Sequence, residues 1–174
     1  MAKYICLLRG INVGGKNVIK MAELREALPE IGWSDAETYI QSGNIVFNAK
    51  AADAKPVKVA GLIKDEWGYD VSAMIVTSRR WLQLVANDPF ERLEKKFVHL
   101  TLLGAKPKKE FRDAVLRTDI GDDLCELEGD CLYLYCPNGY SKTKLTNSFL
   151  ERKLKTSATT RNWNTVLKLL RMSN

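Results

Sequence analysis

The order in which apolar residues alternate along this chain, first with a period of two, then of about 3.6, occurs twice, and that double order limits the available folds. In the first half, a strand over Lys3–Leu8 leads to a helix over Met21–Ile31, read from Met21, Leu24, Leu28 and Ile31. Strands over Glu37–Ile40 and Asn44–Asn48 follow, joined by Gln41-Ser42-Gly43. A second helix starts near Pro56, a favoured first-turn residue, carries Val59, Ile63 and Trp67 on one face, and stops at Gly68. A strand over Asp70–Val76 completes a βαββαβ order. After a linking helix over Ser78–Asn87, ended by Asp88-Pro89, the order recurs. It runs through a strand Phe97–Leu103, a helix Pro107–Leu116 and strands Leu124–Glu128 and Cys131–Tyr135, which turn at Glu128-Gly129-Asp130. Two helices then close the chain, one around Leu145, Phe149 and Leu154, the other on Trp163, Val166, Leu167 and Leu170. The expected fold is α+β, with two ferredoxin-like (βαββαβ-type) subdomains packed together, residues 1–77 and 78–174, and two C-terminal helices.

The first strand runs into Arg9-Gly-Ile-Asn-Val-Gly-Gly-Lys16-Asn17, a glycine-rich loop with two cations. Glycines let successive backbone N–H groups converge, and such loops bind anions or make tight structural turns. Gly10, Gly15 and Lys16 match the spacing of a phosphate-binding P-loop, G-x-x-x-x-G-K. Asn17, however, stands where Ser or Thr should place a hydroxyl on magnesium. The helical period begins only at Met21, and the run Val71–Val76 ends in Thr77-Ser78 with no metal-binding aspartate. Nucleotide hydrolysis is therefore not expected. Arg9, Gly10, Asn12, Gly14, Gly15 and Lys16 are the candidate anion-site residues here.

Charge is unevenly spread. The chain has a formal net charge of +6, yet the stretch from Pro137 to Asn174 holds eight Lys or Arg and one acid, Glu151, so everything before it is slightly negative. A basic segment of this kind attracts phosphates or acidic partners, or is simply a solvated helical surface. Cys6, Cys125, Cys131 and Cys136 lie in apolar strand-like segments without a C-x-x-C pair, so free, buried thiols are expected rather than a metal or redox centre. No metal and no cofactor is indicated. No stretch approaches a transmembrane span, and the start shows no export signal, so a cytoplasmic monomer without membrane association is the expectation.

Four sequence blocks, Leu7–Lys16 (LLRGINVGGK), Met21–Arg25 (MAELR), Thr38–Asn44 (TYIQSGN) with Phe47, and Thr159–Thr165 (TTRNWNT), span the chain from first strand to last helix. With these blocks the sequence resembles DUF1697, a bacterial family defined as a domain of unknown function. The resemblance implies a stand-alone α+β protein of the cytosol. It carries no substrate, cofactor or catalytic residue with it.

Three further candidate sites rest on residue chemistry. Gln41, Ser42 and Asn44 sit in a tight hairpin whose polar groups either bond the local backbone or face the same side as the first loop. Thr160, Arg161, Asn162 and Asn164 are read as the start of the last helix, capped by Thr159 or Thr160, and Ser141, Lys142 and Lys144 as the start of the preceding one. Polar and cationic side chains at such a position suit an anion or a cap. Conventional catalytic sets are missing. His99, the only histidine, lies in a strand with no nucleophile linked to it, and Asp122, Asp123, Glu126, Glu128 and Asp130 flank a hairpin where exposed carboxylates are ordinary.

Two functions fit these residues. One is a binding module for a phosphate-bearing or otherwise anionic partner, with nucleic acid the leading example. The other is an enzyme acting on a nucleotide-like or phosphorylated small molecule in a cleft between the two halves, with Arg9, Lys16 and Arg161 converging on one anion.

Overall fold

The structure is a computed structural model and describes residues 1–174. The chain divides into two compact units, Met1–Leu84 together with Leu169–Asn174, and Val85–Lys168.

In the first unit, β1 (Ala2–Arg9) is followed by α1 (Met21–Ala27), which tightens into a 3₁₀ turn at Leu28–Ile31. Then come β2 (Ser34–Tyr39), β3 (Asn44–Ala49), α2 (Pro56–Trp67), β4 (Ser72–Thr77) and α3 (Ser78–Ala86), whose last residues belong to the second unit. The sheet has the order β2-β3-β1-β4 with every neighbouring pair antiparallel, which is the ferredoxin-like arrangement. The continuous apolar run Tyr4–Leu8 is explained by its place. It is an inner strand buried on both faces, with Tyr4, Cys6 and Leu8 turned to the cluster that holds Leu24, Leu28, Val59 and Ile63. Trp33 anchors that cluster, stacked on Phe47 at 3.6 Å between ring centroids, and its indole N–H donates to the Asp53 carbonyl at 2.9 Å.

The second unit repeats the plan with β5 (Val98–Leu103), α4 (Lys109–Leu116), β6 (Leu124–Glu128), β7 (Cys131–Tyr135), α5 (Asn147–Leu154) and β8 (Ala158–Asn162). Its sheet order, β6-β7-β5-β8, is the same one carried into the second half, again wholly antiparallel. The last helix, α6 (Trp163–Ser173), begins in this unit and ends in the first. Leu103, Val115, Leu132, Leu134, Leu150 and Leu154 form the core between this sheet and its two helices.

Two expectations are corrected here. The segment Thr159–Asn162 does not open a helix. It is most of β8, which pairs with β5 through Thr159 opposite Leu102 and Thr160 opposite Thr101. Two adjacent β-branched threonines suit a strand, and the central β5 needs a second neighbour. Nor do Ser141–Lys144 start α5. Ser141 and Lys142 lie in a 3₁₀ turn, Tyr140–Lys142, and the helix begins at Asn147 behind Thr146, whose hydroxyl accepts from the Phe149 N–H at 3.2 Å. The two C-terminal helices are present, with β8 between them. No helix is long and apolar enough to cross a membrane.

Candidate functional site

The glycine-rich loop folds into a miniature hairpin. Val13 and Lys16 form a bridge, the Lys16 N–H donates to the Val13 carbonyl at 3.0 Å, and the two residues between them, Gly14 and Gly15, hold φ of 58° and 72°. Positive φ at both central positions is the signature of the mirror-image turns that match strand twist, and it explains the Gly-Gly pair. The amide of Lys16 is thus turned back on the loop. The loop base is closed by two asparagines that tolerate the left-handed region. Asn12 (φ 52°) accepts from the Ile19 N–H at 2.8 Å, and its Nδ2 donates to the carbonyls of Ile19 and Gln41 at 2.9 and 2.8 Å. Asn17 (φ 49°) donates to the Gly10 carbonyl at 2.9 Å. Asn12 therefore joins the glycine loop to the turn between β2 and β3, and the two sequence blocks share one side of the first unit.

That turn is pressed onto β1. The Leu8 N–H donates to the Gly43 carbonyl at 2.8 Å, and a Cβ at Gly43 (φ 78°) would lie 2.6 Å from the Leu8 Cβ, so only glycine fits. Asn44 is fully buried, its Nδ2 donating to the Tyr39 carbonyl at 3.0 Å and the Ser42 hydroxyl at 2.9 Å. Asn44 and Ser42 hold the turn together, while Gln41 is exposed. Just before it stands Ile40, a β-branched residue at φ 51° and 51% exposed. A left-handed, half-exposed isoleucine carries backbone strain, and such strain concentrates at functional surfaces. Ile40 and Gln41 line an open groove of about 460 Å³ with Lys20, Met21, Arg25 and Thr38, in which the Arg25 guanidinium donates to the Thr38 hydroxyl. Lys20 and Arg25 are the cations that sequence reasoning missed, because they belong to α1, Lys20 at its N-cap and Arg25 in its last turn, rather than to the glycine loop. Arg9 ends β1 opposite Ser72, and Lys16 is exposed at the hairpin tip.

In the second unit the candidate residues fall into different surroundings. Thr160 faces the helices: its hydroxyl lies 2.7 Å from the buried Thr101 hydroxyl and donates to the Asn147 side-chain oxygen at 2.7 Å, so Thr101 is the donor to Thr160. Arg161 points to the other face of β8, and its guanidinium donates to the Thr159 hydroxyl at 3.1 Å and the Thr160 carbonyl at 2.9 Å. Asn162 accepts from the Thr165 N–H at 2.9 Å, the capping role first assigned to Thr159 or Thr160, and Asn164 is exposed. Lys144 donates to the Asp119 carbonyl at 2.8 Å, which ties the entry of α5 beside the exit of α4, and Ser141 and Lys142 are exposed.

His99 shares the helix-facing side with Thr101. Its ring stacks on Tyr140 at 4.7 Å, its Nδ1–H donates to the Phe97 carbonyl at 3.2 Å, and burial pushes its pKa below the ordinary histidine range, so the neutral form is favoured. Burial likewise pushes the Cys125 thiol up to about 12 and the Cys136 thiol up to about 11. These sulfurs are not poised as nucleophiles.

Two ferredoxin-like units of identical strand order define the class as a tandem α+β protein. Within that class the chain belongs to the family described as "Protein of unknown function (DUF1697)", which it matches over residues 1–133. It is also similar to a solved structure, that of the conserved bacterial protein SP0830 from Streptococcus pneumoniae, at 25% sequence identity and a TM-score of 0.74, with 99% of each chain covered. No curated protein matches the sequence.

Proposed function

We propose that this protein is a binding module for a phosphate-bearing polymer, nucleic acid being the leading example, and that its basic C-terminal segment makes the contacts. The observation that carries this reading is the disposition of charge around α5. Glu151, the one acid between Pro137 and Asn174, is engaged by the fold, its Oε1 accepting from the Ala158 N–H at 3.0 Å. Lys142, Lys144, Arg152, Lys153 and Lys155 are all exposed. Exposed cations so grouped meet phosphates and release counterions.

Fluorescence anisotropy with labelled single- and double-stranded RNA and DNA of mixed sequence, across a salt series, checks it. Binding should weaken steeply with salt and depend little on sequence. Replacing Lys142 and Lys153 together by Ala should make the logarithmic salt slope shallower by about 1.4–1.8. No binding of any of these at low salt overturns the proposal.

A second reading, a nucleotide-like or phosphorylated small molecule as ligand or substrate, is favoured by the strained, exposed Ile40 beside Lys20, Arg25 and Gln41. In it, cations hold the phosphate and Ile40 offers an apolar contact. Thermal stabilisation by mononucleotides that is lost in Arg25→Ala would support this reading over the first.

A further inference from the structure

A second basic surface lies on α4, and the fold carries it to the basic end of α5. Lys106, Lys108, Lys109 and Arg112 stand at the entry and first turn of α4, with Lys106, Lys108 and Lys109 exposed. The Gly104 N–H donates to the Ser157 carbonyl at 2.9 Å, and a Cβ at Gly104 would meet the Ser157 Oγ at 2.3 Å. That close approach pins the entry of α4 against the exit of α5, where Arg152, Lys153 and Lys155 are exposed. Two cation groups far apart in sequence thereby form one end of the second unit.

Among these cations lies a pocket of about 390 Å³ between α4 and the β6–β7 turn. Pro107, Leu116 and Leu127 give it an apolar floor, and Lys106, Lys109 and Arg112 rim it. Leu116, the last residue of α4, is 46% exposed, an uncovered apolar side chain on the pocket wall. Asp113 also lines the pocket and adds one carboxylate that accepts hydrogen bonds. A surface that only followed a phosphate backbone would need the cations alone. An apolar floor inside them fits a ligand that alternates charged groups with flat, mostly apolar ones.

We infer that the partner is single-stranded nucleic acid, with one unpaired base seated on Pro107, Leu116 and Leu127 and the flanking phosphates on Lys106, Lys109, Arg112 and Lys153. This rests on the nucleic-acid reading above and narrows it. A duplex keeps its bases stacked and paired, and taking one out is unfavourable, so it cannot fill the pocket readily. Single strands present bases free to leave the stack while their phosphates track a basic groove. Asp113 would accept from an exocyclic amino group, which favours cytosine, adenine or guanine over uracil or thymine at the seated position.

The experiment compares a single-stranded 12-mer carrying 2-aminopurine with the same sequence as a duplex, on the full chain. The single strand should bind at least about tenfold more tightly, with a change in 2-aminopurine fluorescence when the probe base is seated. Leu116→Ser, a substitution at an exposed position, should weaken single-strand binding roughly fivefold and leave the salt slope unchanged. Lys106→Gln with Lys109→Gln should instead make the slope shallower by about 1.5. Equal affinity for duplex and single strand, or Leu116→Ser binding like the wild type, overturns the seated base while leaving nucleic-acid binding standing. No nucleic-acid binding under any condition removes the wider proposal as well.

Discussion

Single residues in this fold reveal their role by the conformation they are forced into. Gly14, Gly15 and Gly43 take positive φ where a hairpin or a close approach requires it, and Asn12 and Asn17 take it while clamping the loop base. Ile40 is different: it is β-branched, half exposed and left-handed at φ 51°. Ile40→Asn should therefore stabilise the protein by about 0.5–1 kcal/mol, because asparagine enters the left-handed region more easily and little apolar burial is lost. Urea unfolding checks this. A destabilisation of similar size would mean that Ile40 is held by contacts its exposure does not suggest. If the groove serves a ligand, the same variant should lose affinity as it gains stability, the usual exchange at strained sites.

At the level of elements, most of the plan was legible from periodicity. The strands β1, β3, β5 and β7 stand out because they are apolar on both faces or nearly so, and α2 because proline and glycine mark its ends. The strand β8 was hidden by its polar composition, Ala-Thr-Thr-Arg-Asn. Its inward face carries only the small Ala158 and the polar Thr160, whose hydroxyl finds hydrogen bonds at Thr101 and Asn147. A βαββαβ unit needs a fourth strand, and that requirement was the available clue. The basic end of α4 escaped for a different reason. Charge summed over everything before Pro137 comes out slightly negative, and the average conceals Lys106–Arg112.

The hydroxyl chain through β8 gives an ordering of mutational effects. Thr101→Val removes only the donor to Thr160, and should cost about 0.5–1.5 kcal/mol. Thr160→Val leaves the buried Thr101 hydroxyl without its acceptor and Asn147 without its donor, and should cost about 1–3 kcal/mol. Equilibrium denaturation of both variants decides. Thr160→Val proving the milder would show that the chain does not run in the inferred direction.

The molecule as a whole carries one strand plan twice with different surfaces. The first unit presents a glycine hairpin and an open groove, the second a cluster of cations around a pocket on α4, so the same architecture displays two different surfaces. Both units bury their sulfur. Cys6, Cys131 and Cys136 are buried and Cys125 is half-buried, with the Cys125 and Cys136 thiols held well above the usual range by desolvation. At pH 8 the native protein should react slowly with an aromatic disulfide reagent at all four positions, and quickly and completely in denaturant. Rapid reaction of four thiols in the native state would contradict the buried placement.

The position of β8 near the end of the chain has a consequence for synthesis. All four strands of the first sheet lie within the first 77 residues, so that sheet can close while the rest is still being made. The second sheet cannot. Its central strand β5 ends at Leu103, and the neighbour for its open side arrives only with Ala158–Asn162. At roughly 5–20 residues per second, the edge of β5 stands unpaired on the ribosome for about 3–12 s. During that interval the apolar run Val98–Leu103 is the nascent chain's most exposed template for mispairing, and pausing before residue 158 should lengthen it.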